Sequence, residues 1–299
     1  MKKHESVQLL GYTLNSHRRR KFIEERSFVI LMVFATILVV SALFLIIAAV
    51  MIRGIPALSW KMISEIPKGG YYLGKDGGIL NAILGSLWMV IGSAVLGILF
   101  TLPVVLYIHI YLNEWSFMSR LVRLLADVLL GIPSIVYGAF GFALMVWLGM
   151  RTSLLAGIIV LTILIIPMMI RAVDEVIRLV SQEMKDATLS LGATRLEMAF
   201  VVLRQISSGI MTAIMLSAGR AIGDAASVLF TSGYTDNIPR SLSQPAATLP
   251  LAIFFQLSSP IPKVQDRAYA AAVILTLIVL IMSIFSRYFN RKFSRFKIL

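Results

Sequence analysis

Apolar and uncharged positions gather into long runs at residues 27–52, 77–113, 128–150, 152–170 and 268–286, and a further run surrounds the stretch "LSAGRAIGDAASVLF" from Leu216 to Phe230. A helix needs roughly 20 apolar residues to cross the hydrocarbon core of a bilayer. The pattern therefore predicts an all-α, polytopic membrane protein with six transmembrane helices, the fifth running from about residue 205 to 233. Pro103, Pro133 and Pro167 fall inside helices 2, 3 and 4, where neighbouring groups must satisfy the backbone atoms they free. The run "PLAIFFQL" at 250–257 is also apolar, but it is too short to cross and is flanked by Pro245, Pro260 and Pro262. It is expected to lie at the membrane face or to dip into it.

Between the fourth and fifth helices, residues 171–204 keep a helical period while carrying five basic and five acidic residues. Val173, Val176, Val180, Met184, Ala187 and Leu191 recur at steps of three or four and predict one amphipathic helix. Gly192 is its natural stop. Thr194-Arg195-Leu196-Glu197 reads T-x-x-E, a capping box that opens the next helix. Two helices joined at a glycine make a compact knob.

Composition agrees with the periodicity: the 299 residues are 58% hydrophobic and only 14% charged, with a mean hydropathy of +0.87, far from a soluble domain. The net charge of +13 would suit nucleic acid, but its distribution points elsewhere. Residues 1–26, 107–127, 171–204 and 287–299 hold 7, 2, 5 and 5 lysines and arginines, against 4, 1 and 3 in 53–78, the turn at Arg151 and 236–267. By the positive-inside rule both termini are cytoplasmic in a multi-pass protein of the cytoplasmic membrane. The clusters "HRRRK" and "RKFSRFK" then anchor at anionic lipid, and no nucleic-acid partner is expected. The first apolar run is too long for a signal peptide and is read as a retained helix. The organisation that follows is a basic cytoplasmic segment 1–26, a six-helix permease domain 27–290 that includes the cytoplasmic loop 171–204, and a basic tail 291–299.

Candidate chemistry is sparse. Cysteine is absent, which excludes disulfides and thiolate catalysis. His4, His17 and His109 are too widely spaced to suggest a metal site. "GGYYLGKD" places Gly69, Gly74 and Lys75 as in a Walker A loop, but Asp76 stands where Ser or Thr must hold magnesium, and a transmembrane helix precedes it. The chain is therefore expected to bind no cofactor, to have no catalytic residues and to hydrolyse no nucleotide itself.

"DATLSLGATRLE", Asp186 to Glu197, resembles the cytoplasmic "EAA…G" loop of binding-protein-dependent ABC importer permeases, with Asp186 and Thr188 in place of the usual Glu and second Ala. The proline that follows in the family is absent near Leu203-Arg204. "GGILNAILGSLWMV", "IYLNEW", "GIPSIVYGAFG" and "GRAIGDAASVLFTSG" together resemble the phosphate-specific permeases, and "ATLPLAIF" resembles their A-type subunit. In the fourth of these, Gly223-Asp224-Ala225-Ala226-Ser227 stands where relatives carry Gly-Glu-Thr-Ala-Pro.

The resemblance implies a type I ABC importer permease fold and a transmembrane subunit of an ATP-driven inorganic phosphate importer. It implies a homologous C-type permease as heterodimer partner, two ATPase subunits that use ATP and magnesium, and an extracytoplasmic phosphate-binding protein. It also places Asp186, Ala187, Gly192 and Arg195 at the ATPase contact. Two alternatives stand beside it: an ABC importer of another oxyanion such as molybdate or sulfate, and a secondary transporter or channel without an ATPase. Against the latter, helices 1–3 and 4–6 lack matching discontinuous segments of the inverted-repeat kind.

Arg220 and Asp224 are the remaining puzzle, because a charge at membrane depth costs roughly 2.5–3.5 kcal/mol on insertion scales. At i,i+4 they can neutralise each other, although the basic residue comes first, which is the weaker order on a helix. Alternatively the planar fork of Arg220 binds two oxygens of a passing phosphate. Asp224 then keeps that cation from trapping the anion, or accepts a hydrogen bond from protonated phosphate. Ser217, Ala218, Gly219, Ala221, Gly223, Ala225 and Ala226 around them permit close packing or line a passage.

Overall fold

The computed structural model describes residues 2–68, 76–112 and 115–293, with side chains left out at 2–20, 23, 76 and 289–293. The basic clusters expected to anchor at lipid, and the Walker-like glycines and Lys75, therefore fall almost wholly outside the described residues and side chains. The chain divides into Met1–Ile52 and Arg53–Leu299. α1 (Lys2–Ala57), which makes up nearly all of the first unit and ends five residues into the second, is one continuous helix. Its portion Glu24–Ala57 is long and apolar enough to cross a membrane.

The second unit opens with the single-turn helix α2 (Trp60–Ser64) and a minimal antiparallel pair of strands, β1 (Pro67–Lys68) and β2 (Asp76–Gly77). Then come α3 (Leu80–Leu106), α4 (Phe117–Gly131), α5 (Ser134–Trp147), α6 (Leu154–Arg178), α7 (Gln182–Ser190), α8 (Arg195–Gly223), α9 (Leu249–Leu257) and α10 (Pro262–Phe293). Pro103 lies inside α3 and Pro167 inside α6. The backbone of α3 widens into a π-turn at Tyr107–Tyr111, just after Pro103 has removed one donor from the ladder. α6 is the central helix: Met89, Ile158, Leu161, Ile165, Met169 and Ile222 form one core from α3, α6 and α8. Gly92 meets Ile158 and Gly97 meets Met169 across the α3–α6 contact, the small-against-large packing that lets membrane helices approach closely.

Three boundaries differ from the sequence expectation. The run at 128–150 is not one straight helix: Gly131 ends α4, Pro133 precedes α5, and the two axes differ by 100°. Pro133 biases Ile132 into an extended conformation (φ −76°, ψ 129°). Among the described residues five helices are long and apolar enough to cross, and the bent pair makes a sixth if taken as one span. The amphipathic phase from Val173 to Leu191 is not one helix either, since Leu179–Val180–Ser181 breaks it. Ser181 Oγ accepts from Met184 N at 3.3 Å and so caps α7 separately.

The third difference matters most. The fifth predicted helix, 205–233, begins ten residues earlier and ends ten earlier, at Gly223. Residues 224–248 are irregular; Ser227, Val228, Thr231, Ser232, Ala246 and Ala247 are fully enclosed, while 240–244 are exposed. Irregular backbone at membrane depth requires internal partners, and α6 supplies them. Ser153 N donates to Thr231 O (3.0 Å), Leu154 N to Gln244 O (2.8 Å) and Leu155 N to Leu242 O (2.9 Å). Donors at the start of α6 thus pair with three carbonyls of the irregular segment.

The nine-residue α9 is roughly 13 Å long, too short to cross. Thr248 caps it, and Pro250 occupies its first turn, where a missing N–H costs nothing. Single cysteines at the exposed positions Ser243 and Ser258, which bracket α9, are expected to react with a membrane-impermeant thiol reagent from the same side of sealed vesicles. Labelling from opposite sides would make α9 a span.

Candidate functional site

The knob is built from local signals. At its centre Gly192 has φ +84°, a left-handed conformation that a side chain rarely adopts. A Cβ there would meet nothing within 4 Å, so the turn stands clear of the bundle. Thr194 Oγ1 accepts from Glu197 N at 3.3 Å, and Glu197 Oε2 accepts from Thr194 N at 2.7 Å. That is the expected capping box, and it starts α8. Asp186 and Ala187 are exposed on α7, with Asp186 Oδ1 accepting from Gln182 Nε2 at 3.1 Å. Leu191 is 89% exposed, and Leu189 and Leu196 also face outward. Asp186, Ala187, Gly192 and Arg195 therefore share one protruding corner with an apolar rim. Arg195, the first residue of α8, also lies over the Tyr111 ring, 5.8 Å from its centroid, within cation–π range.

Arg220 and Asp224 sit at the other end of α8 and not at mid-helix. Arg220 is exposed in the last turn, where a cation complements the helix dipole. Asp224 is the half-buried C-cap, with extended backbone, and its Oδ1 accepts from Ser227 N at 3.0 Å. A carboxylate that holds a backbone N–H three residues on competes with helical bonding and turns the chain. Gly223 before it adds the lowest helix propensity short of proline. The helix stops there for local reasons. Because Asp224 is off the helix, the i,i+4 pairing does not form: among the described residues no hydrogen bond or ion pair joins Arg220 to Asp224 or engages the Arg220 guanidinium at all. On α5 the Tyr137 hydroxyl donates to Leu129 O at 2.7 Å. Asp224 also lines a small cavity with Ser86 and Thr248. Of the small residues expected to line a passage, Ser217, Ala218 and Ala221 are buried and pack the helix, while Gly219 and Gly223 have open space in front of them.

A third constellation escaped the sequence. Asp174, on α6, is 1% exposed and accepts from His109 Nε2 at 2.7 Å. Arg123 of α4 bridges both carboxylate oxygens through Nε at 3.2 Å, and Arg178 reaches Oδ2 at 3.2 Å. His109, read from its spacing as unremarkable, is as buried as Asp174 and belongs to the π-turn. A carboxylate at i,i+4 from Arg178 was the one local signal; its partners at sequence distances of 51 and 65 residues left none.

Comparison with known proteins is consistent with this architecture. A chain of the MetNI methionine ABC transporter in an inward-facing conformation superposes with a TM-score of 0.58, covering 72% of this chain and 95% of that one at 19% identity, a likeness of fold alone. The phosphate transport system permease protein PstA of Pasteurella multocida is 35% identical over 241 residues, 79% of this chain and 84% of the relative. The PstA of Haemophilus influenzae is 32% identical over 79% and 83% of the two chains, and PstA 1 of Mycobacterium tuberculosis 34% identical over 70% and 67%. The family model for the binding-protein-dependent transport system inner membrane component matches residues 106–295, from the π-turn through α10. With the spans, the knob and the irregular segment after α8 all inside or beside that match, the chain belongs to the family of binding-protein-dependent transport system inner membrane components.

Proposed function

We propose that this chain is the A-type permease subunit of an ATP-driven importer of inorganic phosphate. Its heterodimer partner is a homologous C-type permease, two ATPase subunits dock on the α7–α8 corner, and a phosphate-binding protein delivers the anion at the α9 end. The corner then faces the cytoplasm, as the lysine and arginine distribution requires. ATP hydrolysis belongs to the partner subunits. The names of the relatives narrow the substrate to phosphate. Within the chain, the observation that carries the reading is Arg220, an exposed guanidinium with no hydrogen bond or ion pair among the described residues, in the last turn of a helix whose C-cap, four residues on, is the half-buried carboxylate of Asp224. Such a group is available to an anion, and its planar fork matches two phosphate oxygens.

Uptake by the complete transporter, reconstituted with its partners, tests the reading. ATP-dependent phosphate accumulation is expected, with sulfate and molybdate transported much less; equal or greater transport of either would replace phosphate as the substrate. In the same preparation Gly192→Asp and Asp186→Lys should leave the bundle assembled and lower ATPase co-purification by roughly tenfold or more, as loss of an interface anchor does. Full ATPase binding and uptake by both variants would remove the docking assignment.

A further inference from the structure

We infer that His109, Asp174 and Arg123 form a joint that transmits movement of the α7–α8 corner to the pathway end of α8, acting as positioning residues of the transport cycle; the inference rests on the permease reading above. Asp174 lies one turn before α6 ends at Arg178, and only the break at Leu179–Val180–Ser181 separates that end from α7. Whatever displaces α7 pulls first on this turn. The Asp174 carboxylate is the shared acceptor for three elements: His109 from the π-turn at 2.7 Å, Arg123 from α4 at 3.2 Å, and Arg178 of its own helix at 3.2 Å. The far side of the corner reaches the same π-turn, because Arg195 at the start of α8 lies over Tyr111. Entry to and exit from the corner therefore converge on the five residues Tyr107–Tyr111.

From there two routes lead on. α3 runs directly back through the core against α6. α4, gripped through Arg123, bends by 100° into α5. On α5, Gly138 approaches the irregular segment that follows α8 so closely that a Cβ would stand 2.6 Å from Ala226 O. A π-turn is a wide, weakened turn that recurs at functional sites. A buried carboxylate is an expensive way to hold helices together compared with apolar packing, and such groups are best explained by a specific arrangement they enforce. A second α4–α6 pair, Arg171 Nε to Asp127 Oδ1 at 2.8 Å, is largely exposed and offers a comparison without that burial.

The test is phosphate moved per ATP hydrolysed, measured with the complete transporter and its binding protein in vesicles. For Asp174→Asn and His109→Gln the ATPase subunits should co-purify and hydrolyse ATP, while the ratio falls by roughly fivefold or more, within the range of coupling between distant sites. Asp127→Asn should leave the ratio at the wild-type value. A merely structural cluster lowers uptake and hydrolysis in proportion, because fewer molecules are intact, so an unchanged ratio in both cluster variants overturns the joint. If Asp174→Asn is not recovered in the membrane, His109→Gln decides alone, since it leaves both arginines on the carboxylate. Wild-type protein that hydrolyses ATP but moves no phosphate defeats the permease reading, and the joint falls with it; wild-type transport with unchanged variant ratios defeats the joint only.

Discussion

Replacing Gly85 by valine is expected to leave little folded permease in the membrane. Gly85 lies on α3 where the irregular segment leads into α9, and a Cβ there would collide with the carbonyl oxygen of Ala247. The obstacle is backbone, so no rotamer change relieves it. The next residue, Ser86, has its Oγ accepting from Leu249 N at 2.8 Å, and Asn81 Nδ2 donates to Thr235 O at 2.6 Å one turn earlier. Pushing the segment away breaks these bonds inside a buried region. Overpacking costs about 1–3 kcal/mol, and a buried donor left without its acceptor costs about 1–3 kcal/mol more. Thermal melting in detergent should show Gly85→Val strongly destabilised or not recoverable. Ser86→Ala should lose only the hydrogen-bond share, and Gly219→Ala, with nothing within 4 Å of the added methyl, should melt at or slightly above wild type. A Gly85→Val protein that melts with wild type would show the segment to be far softer than its contacts indicate.

The same segment explains where sequence reasoning succeeded and failed. The long apolar runs, the capping box at Thr194 and Glu197 and the turn at Gly192 are each encoded by residues within a few positions of one another, and each is present as expected. The end of α8 is different. Ala225, Ala226, Val228, Leu229 and Phe230 are apolar, and at membrane depth apolar residues read as helix because helices satisfy their own backbone. What replaces the helix is a set of local turns, with Thr231 N and Ser232 N donating to Val228 O, followed by a chain whose carbonyls at Thr231, Leu242 and Gln244 accept from the start of α6, seventy or more residues earlier; nothing in the local pattern announces that long-range part. Local hints existed in Gly223, in Asp224 and in Ser227, whose N–H Asp224 holds. The bend at Pro133 is a milder case: the proline was visible, but whether it kinks or breaks a helix is decided by what packs around it. The His109–Asp174–Arg123 cluster was beyond reach altogether, because a histidine in an apolar run and an acidic residue on an amphipathic helix are both unexceptional until the fold brings them within 2.7 Å.

With Asp224 off the helix, the expectations for the two residues proposed to line the pathway become sharper. Arg220→Gln should abolish most phosphate uptake while leaving assembly intact, since the guanidinium has no hydrogen bond or ion pair among the described residues to lose. Each hydrogen bond from a charged donor to phosphate contributes about 1.5–3 kcal/mol; glutamine keeps an amide donor, so a net loss of one such bond predicts a fall of roughly 10- to 100-fold in uptake at limiting phosphate. Arg220→Lys should also be impaired, because a point charge cannot reproduce two parallel donors. For Asp224 the structural and the electrostatic roles separate. Asparagine keeps an oxygen that can accept from Ser227 N, so Asp224→Asn should fold normally but hold phosphate longer beside an uncompensated Arg220, lowering both the half-saturating concentration and the maximal rate. Asp224→Ala loses the turn as well and should be less stable. The exchange Arg220→Asp with Asp224→Arg conserves net charge, yet it moves the cation off the helix and leaves Ser227 N without its acceptor. Had the two residues formed a helical ion pair, the exchanged protein would transport nearly as well as wild type. With Arg220 as a positioned anion ligand it should reach the membrane in reduced amount and move almost no phosphate per molecule. Near-normal uptake per assembled transporter would refute the ligand role of Arg220.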